Sequence, residues 1–186
     1  MTIYIALLRG INVGGKNKMK MDELRKLLES LGLKSVQTYI QSGNVVFESE
    51  EDADALQEKL ESEILRVFGF SVPVIIRTAN ELALVKVGCP FSEEEISEAD
   101  LSSVGESLYV AFLEDVPNQV DVDRLDAFKS EYESYHLAGR DIYLLFGQSI
   151  RNSKLATNLQ KLSVAATVRN WKTVNKIASM VEGIKE

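Results

Sequence analysis

The chain has 186 residues, of which 45% are apolar and 26% charged, a globular composition that fits one large domain or two small ones sharing a core. A single cysteine, Cys89, and a single histidine, His136, exclude an intramolecular disulfide and the usual zinc sites, and no metal site is expected. They also exclude Ser-His and Cys-His catalysis that does not recruit His136 itself. The net charge of −7 argues against a general nucleic-acid binder, yet it is unevenly spread: residues 1–47 carry +4, residues 48–126 carry −15 and residues 127–186 carry +4.

Apolar runs reach only six to eight residues, as in Ile3 to Leu8, too few to span a bilayer, so no membrane partner is expected. Met1 is followed directly by Thr2 and that run, without a basic segment or a small-residue cleavage site, and the expected location is cytoplasmic. Cys89 reads as ordinary packing. His136, inside a strand-like stretch, reads as structural.

The first 77 residues predict six elements. Ile3 to Leu8 is a strand, and Met21 to Leu31 a helix with Leu24, Leu27, Leu28 and Leu31 at helical spacing and Gly32 just past its end. Val36 to Ile40 and Val45 to Glu48 are strands about a polar turn, Gln41-Ser42-Gly43-Asn44. Asp54 to Phe68 is a helix whose apolar stripe is Ala53, Leu56, Leu60, Ile64 and Val67. Val72 to Arg77 is a strand, and its Pro73 favours an edge. The order β-α-β-β-α-β is the ferredoxin-like split unit.

Thr78 then caps a short helix through about Val87, and Pro90 to Glu106 reads as a polar connector with one helical turn. The pattern returns with a strand at Leu108 to Leu113, a helix at Val122 to Phe128, and a hairpin of Glu133 to Leu137 with Ile142 to Phe146. A helix at Lys154 to Leu162, a strand at Ala165 to Val168 and a final helix at Trp171 to Val181 complete it. The expected fold class is α+β: two ferredoxin-like (βαββαβ) halves from an internal duplication, with sheets covered by helices and an extra C-terminal helix. The expected division is 1–77, a helical connector 78–106, and 107–186. Leading strands apolar on both faces require cover beyond the helices, most simply from the other half.

Gly10-Ile11-Asn12-Val13-Gly14-Gly15-Lys16 spells GxxxxGK after a strand, the start of a phosphate-binding loop. Asn17 replaces the magnesium-holding Ser or Thr, the helix starts too late, and the element order is not that of a parallel sheet, so an ATPase loop is not indicated. What remains is either a structural glycine turn or an anion cradle of backbone N–H groups aided by Arg9, Lys16, Lys18 and Lys20. In the split unit this loop and the 41–44 hairpin share one end of the sheet. Arg9, Asn12, Gly14, Gly15 and Lys16 should therefore stand beside Gln41, Ser42 and Asn44, with Asp22 the nearest acid. The C-terminal third repeats an Arg-Asn pair before each helix, Arg151-Asn152 and Arg169-Asn170, the second followed by Trp171. Asn152 or Ser153, and Asn170, are expected N-caps, and Arg beside a helix N-terminus adds a bidentate anion donor.

From Arg9 to Lys16, through Thr38 to Phe47, to Ala166 through Val174, the chain resembles the family called domain of unknown function 1697. The resemblance implies compact bacterial proteins with an α/β fold of two related parts, and it assigns no activity, cofactor or catalytic residue. The residues themselves meet no catalytic template, and they name no cofactor. The leading reading is binding, with turnover left open, of a small phosphorylated or nucleotide-like ligand at Arg9, Asn12, Gly14, Gly15, Lys16, Gln41, Ser42 and Asn44, with Arg169, Asn170 and Trp171 as a second group. One alternative is RNA binding, because Ile3-Tyr4-Ile5-Ala6-Leu7-Leu8 resembles the first strand of RNA recognition modules. The other is a protein partner docked on the acidic middle segment.

Overall fold

The computed structural model describes residues Met1–Lys185. The chain divides into two compact units, Met1–Leu84 with the segment from Asn175 onward, and Val85–Val174. In the first, β1 (Thr2–Leu8), α1 (Met21–Ser30), β2 (Lys34–Tyr39), β3 (Asn44–Ser49), α2 (Ala53–Phe68) and β4 (Val74–Thr78) follow one another. Its antiparallel sheet has the order β2-β3-β1-β4, as the split unit requires, and β4 is an edge strand preceded by Pro73.

Burial explains the layering. Tyr4, Ala6, Leu8, Val45, Phe47 and Ile76 face a core closed by Leu24, Leu27 and Leu28 of α1 and by Leu56, Leu60 and Ile64 of α2. Each of the Leu, Val, Ile and Phe side chains among them contributes about 1.5–3 kcal/mol by leaving water. Ile5, Leu7, Val46 and Ile75 on the opposite face are also buried, as their apolar character demands. The stripe of α2 departs from expectation at Val67, which is exposed. Continuing from Ile64 in steps of four reaches Phe68, which packs on the core instead. Gly69, at φ +78, ends the helix in the left-handed conformation.

After α3 (Ala79–Val87) comes α4 (Glu93–Ser102), a ten-residue helix where the sequence suggested one turn. Little of α4 is buried, and Ala99 is its buried residue. A reciprocal cap holds it, Ser92 Oγ accepting from Glu95 N and Glu95 Oε2 from Ser92 N, and Glu93 and Glu94 complement the dipole. The acidity of the middle segment thus has a local structural use.

The second unit repeats the first with β5 (Leu108–Leu113), α5 (Gln119–Asp126), β6 (Glu133–Ala138), β7 (Asp141–Phe146), α6 (Lys154–Leu159) and β8 (Ala166–Asn170), in the order β6-β7-β5-β8. The helix α7 (Trp171–Lys185) follows. Leu125, Leu155 and Leu159 pack on Ala111, Leu113, Ile142 and Leu144. The pairing of the leading strand with the last strand matches residue for residue: Tyr4 pairs with Thr78 and Ile5 with Arg77, as Tyr109 pairs with Asn170 and Val110 with Arg169. The internal duplication is therefore visible in the pairing itself.

In the second unit, α5 begins and α6 ends away from the positions their apolar spacing predicts. Helix α5 starts at Gln119 because Asn118 Oδ1 accepts from Asp121 N at 2.9 Å. A short 3-10 turn at Ile150–Asn152 precedes α6. Helix α6 stops at Leu159, where Thr157 Oγ1 and Asn158 Nδ2 bond back onto the carbonyls of Ser153 and Lys154.

Candidate functional site

The connection from β1 to α1 folds as a small hairpin of its own. Lys16 N donates to Val13 O at 3.1 Å and Asn12 N to Asn17 O at 3.1 Å. The central residues Gly14 and Gly15, at φ +58 and +75, show the type I′ pattern that only glycine adopts freely. Two of the loop's N–H groups are thus consumed internally. Nothing in this arrangement resembles a phosphate-binding loop: the sheet is antiparallel and α1 begins only at Met21.

Asn12, itself at φ +55, fastens the loop. Its Nδ2 donates to Met19 O at 2.9 Å and to Gln41 O at 2.8 Å, while its Oδ1 accepts from Met19 N at 2.8 Å. The expected meeting of the loop with the β2–β3 hairpin is thereby realised through backbone groups. Leu8 N also donates to Gly43 O at 2.9 Å. A Cβ on Gly43 would lie 2.7 Å from Leu8 Cβ and 2.8 Å from Ile11 Cδ1, so the hairpin is pressed onto β1.

Around this junction lies an open cleft of about 520 Å³ lined by Asn12, Gly15, Lys18, Met19, Lys20, Glu23 and Gln41. Asn12, Gly15 and Gln41 of the expected set line it. Lys16 is exposed on the hairpin beside it, and Arg9 is half-buried at the end of β1, its N–H donating to Pro73 O at 3.0 Å. Asn44 is buried, and its Nδ2 closes the hairpin by donating to Tyr39 O at 2.9 Å and Ser42 Oγ at 3.0 Å. The acid at the cleft is Glu23, not Asp22. With Lys20 as N-cap, Glu23 faces back toward Lys20 at 3.9 Å, whereas Asp22 faces Arg25 at 3.6 Å. Met19 and Glu23 were missed because their approach depends on the turn at Asn17, at φ +49, which reverses the chain. Lys20 provides no side-chain cap to α1.

The second expected group has structural roles of its own. Arg169 is buried, its Nη1 donating to Thr167 Oγ1 at 2.7 Å and Val168 O at 3.0 Å, and burial pulls its pKa down to about 10. Asn170 caps α7, accepting from Thr173 N at 2.8 Å, and Trp171 is half-buried in the first turn. Ser153, not Asn152, caps α6. Cys89 is half-buried, and His136 is exposed on β6 with its ring edge-on to Phe91 at 5.3 Å.

Among the described residues, Tyr4 and Phe47 do not form the open aromatic platform on which the RNA reading rests. Tyr4 is buried beneath the helices, stacked on Phe47 at 6.0 Å, and its hydroxyl donates to Glu51 O at 2.9 Å. Stacking on a base would require both rings on an open sheet face. Among the described residues, no helix is long and apolar enough to cross a membrane.

No curated protein matches the sequence. The fold is similar to the solved structure of a conserved bacterial protein from Streptococcus pneumoniae, with a TM-score of 0.68 and 29% identity over 96% of this chain and 98% of that one. Residues 1–143, which include the segments 9–16 and 38–47 but not 166–174, match the family described as Protein of unknown function (DUF1697), and the chain belongs to that family.

Proposed function

We propose that the cleft between the 9–20 loop and the β2–β3 hairpin binds a small phosphorylated or nucleotide-like ligand. The observation that carries this reading is the lining itself: Lys18 and Lys20 stand over a rigidly bracketed junction, with Lys16 on the adjoining turn. At the first turn of α1, where the N–H groups of Glu23 and Leu24 already donate to Lys20 O, the helix dipole favours negative charge. Gln41 and Glu23 supply an amide and an acceptor for ligand hydroxyl or amino groups. The lysines are solvent-exposed, so binding weakens as salt rises.

The test is a thermal-shift series with nucleotides, sugar phosphates and inorganic phosphate, on the native chain and on Lys18→Ala/Lys20→Ala. A ligand at a hundred times its Kd stabilises the fold by about 2.7 kcal/mol, a shift of several degrees for a chain of this size. A shift limited to one phosphorylated class and lost in the double variant is expected. No shift, or one that survives the double substitution, overturns the reading.

A further inference from the structure

We propose a second, chemically different site in the unit Val85–Val174: the groove between α5 and α6 binds a small amphiphilic anion, an aromatic or medium-chain carboxylate. The groove encloses about 370 Å³ and is lined by Arg124, Ala127, Phe128, Asn158, Lys161 and Leu162. That volume falls in the range of small-molecule sites and holds about a dozen non-hydrogen atoms.

Its floor and rim differ in kind. Phe128 and Leu162 are half-buried and pack against the core of this unit, so the floor is the outer side of a close-packed layer. Arg124 rises from α5 and Lys161 from the turn after α6, which places one cation on each side. None of the six lining residues is acidic, although this stretch of sequence is rich in acids. Arg124 touches Asp121 only at 3.5 Å and keeps 66% of its side chain exposed, leaving most of its five N–H donors for an incoming anion. An apolar floor between two cations selects a ligand with a non-polar body and one anionic head. A bare phosphate would leave the floor wet, and a neutral alcohol would leave both cations unmatched.

The groove is also preformed. Asp121 accepts from Ser163 N at 2.9 Å and from the Ser163 hydroxyl, and Asn118 Nδ2 donates to Ser163 Oγ at 3.1 Å. This network staples the turn after α6 to the first turn of α5, so a ligand need not order either wall.

The test follows backbone amide shifts by NMR in the full chain during titration with octanoate, octan-1-ol and inorganic phosphate. Saturable shifts at Ala127, Phe128, Lys161 and Leu162 are expected with octanoate, at a concentration at least tenfold below that needed for octanol. The exposed-residue variant Arg124→Glu/Lys161→Glu should raise the octanoate concentration required at least tenfold without altering the circular dichroism spectrum. Lys18→Ala/Lys20→Ala should leave octanoate binding unchanged, which separates this groove from the cleft of the first unit. Equal response to octanoate and octanol, saturation by phosphate alone, or unaltered binding in the charge-reversed variant would overturn the proposal.

Discussion

The two halves share a scaffold and differ at its ends. Tyr4, Ala6 and Leu8 occupy the same registers as Tyr109, Ala111 and Leu113, and each half closes on an Arg one residue before a helix-capping side chain: Arg77 with Thr78, Arg169 with Asn170. Even the hairpin contact repeats, Leu8 N to Gly43 O at 2.9 Å and Leu113 N to Arg140 O at 2.8 Å. What diverges is the connection after the leading strand. In the first half it runs from Arg9 to Lys20, with its own hairpin and four cations; in the second it runs from Glu114 to Asn118 and holds two acids. Strand registers are held by buried faces, where a slip of one residue would invert every side chain, whereas loop ends are free to change length and sign. The contrast teaches that function in this chain is to be sought where the copies disagree.

The sharpest way to break the comparison is at the hairpin. Gly43→Ala forces a Cβ against Leu8 and Ile11 and a side chain at φ +82, and should cost about 3–4 kcal/mol. Arg140→Ala, at the same register of the second half, loses a hydrogen bond to Glu114 O at 3.2 Å and should cost about 1 kcal/mol or less. Urea denaturation of both variants measures the difference. Equal costs would mean that the first hairpin is not pressed onto β1.

A smaller effect is expected at Asn12, which has no counterpart in the short second connection. Asn12→Ala removes two donated bonds and one accepted bond and should cost about 2–3 kcal/mol. Hydrogen exchange at Met19 N reads it directly, since that amide loses its acceptor. Unchanged protection of Met19 would show that the bracket does not hold the loop.

The smallest effect belongs to the second half and appears only in acid. Bonds from the Ser163 hydroxyl and N–H hold the Asp121 carboxyl below its ordinary value of 3.8, with Arg124 adding to the same direction. A depressed folded-state pKa means stability that is whole above the ordinary value and lost as pH falls through the folded one. Asp121→Asn should flatten the acid limb of a urea-midpoint profile as pH falls from neutrality to about 2. A profile as steep as that of the native chain would remove Asp121 from the network.

Much of this was legible in the residues. The βαββαβ order, its repetition and the shared end of the 9–16 loop and the 41–44 hairpin follow from apolar periodicity and from the handed connections of the split unit. The α4 helix was hidden because it buries so little, although Ser92 and Glu95 carried its capping signal. Glu23 and Met19 could not be placed at the cleft from spacing, because left-handed residues at Asn12 and Asn17 turn the chain there.

The sequence by itself determined the eight strands and the helices that repeat between the halves, the duplication and the basic character of one sheet end, because burial pattern and charge are local properties of the chain. Tertiary structure alone decided that Asn12 and Asn44 are fasteners, that Tyr4 lies under the helices, and that Lys18, Lys20 and Gln41 share a cleft. Those outcomes depend on which backbone groups come within hydrogen-bond reach across 29 residues, as between Asn12 and Gln41, and no period in the sequence encodes that distance.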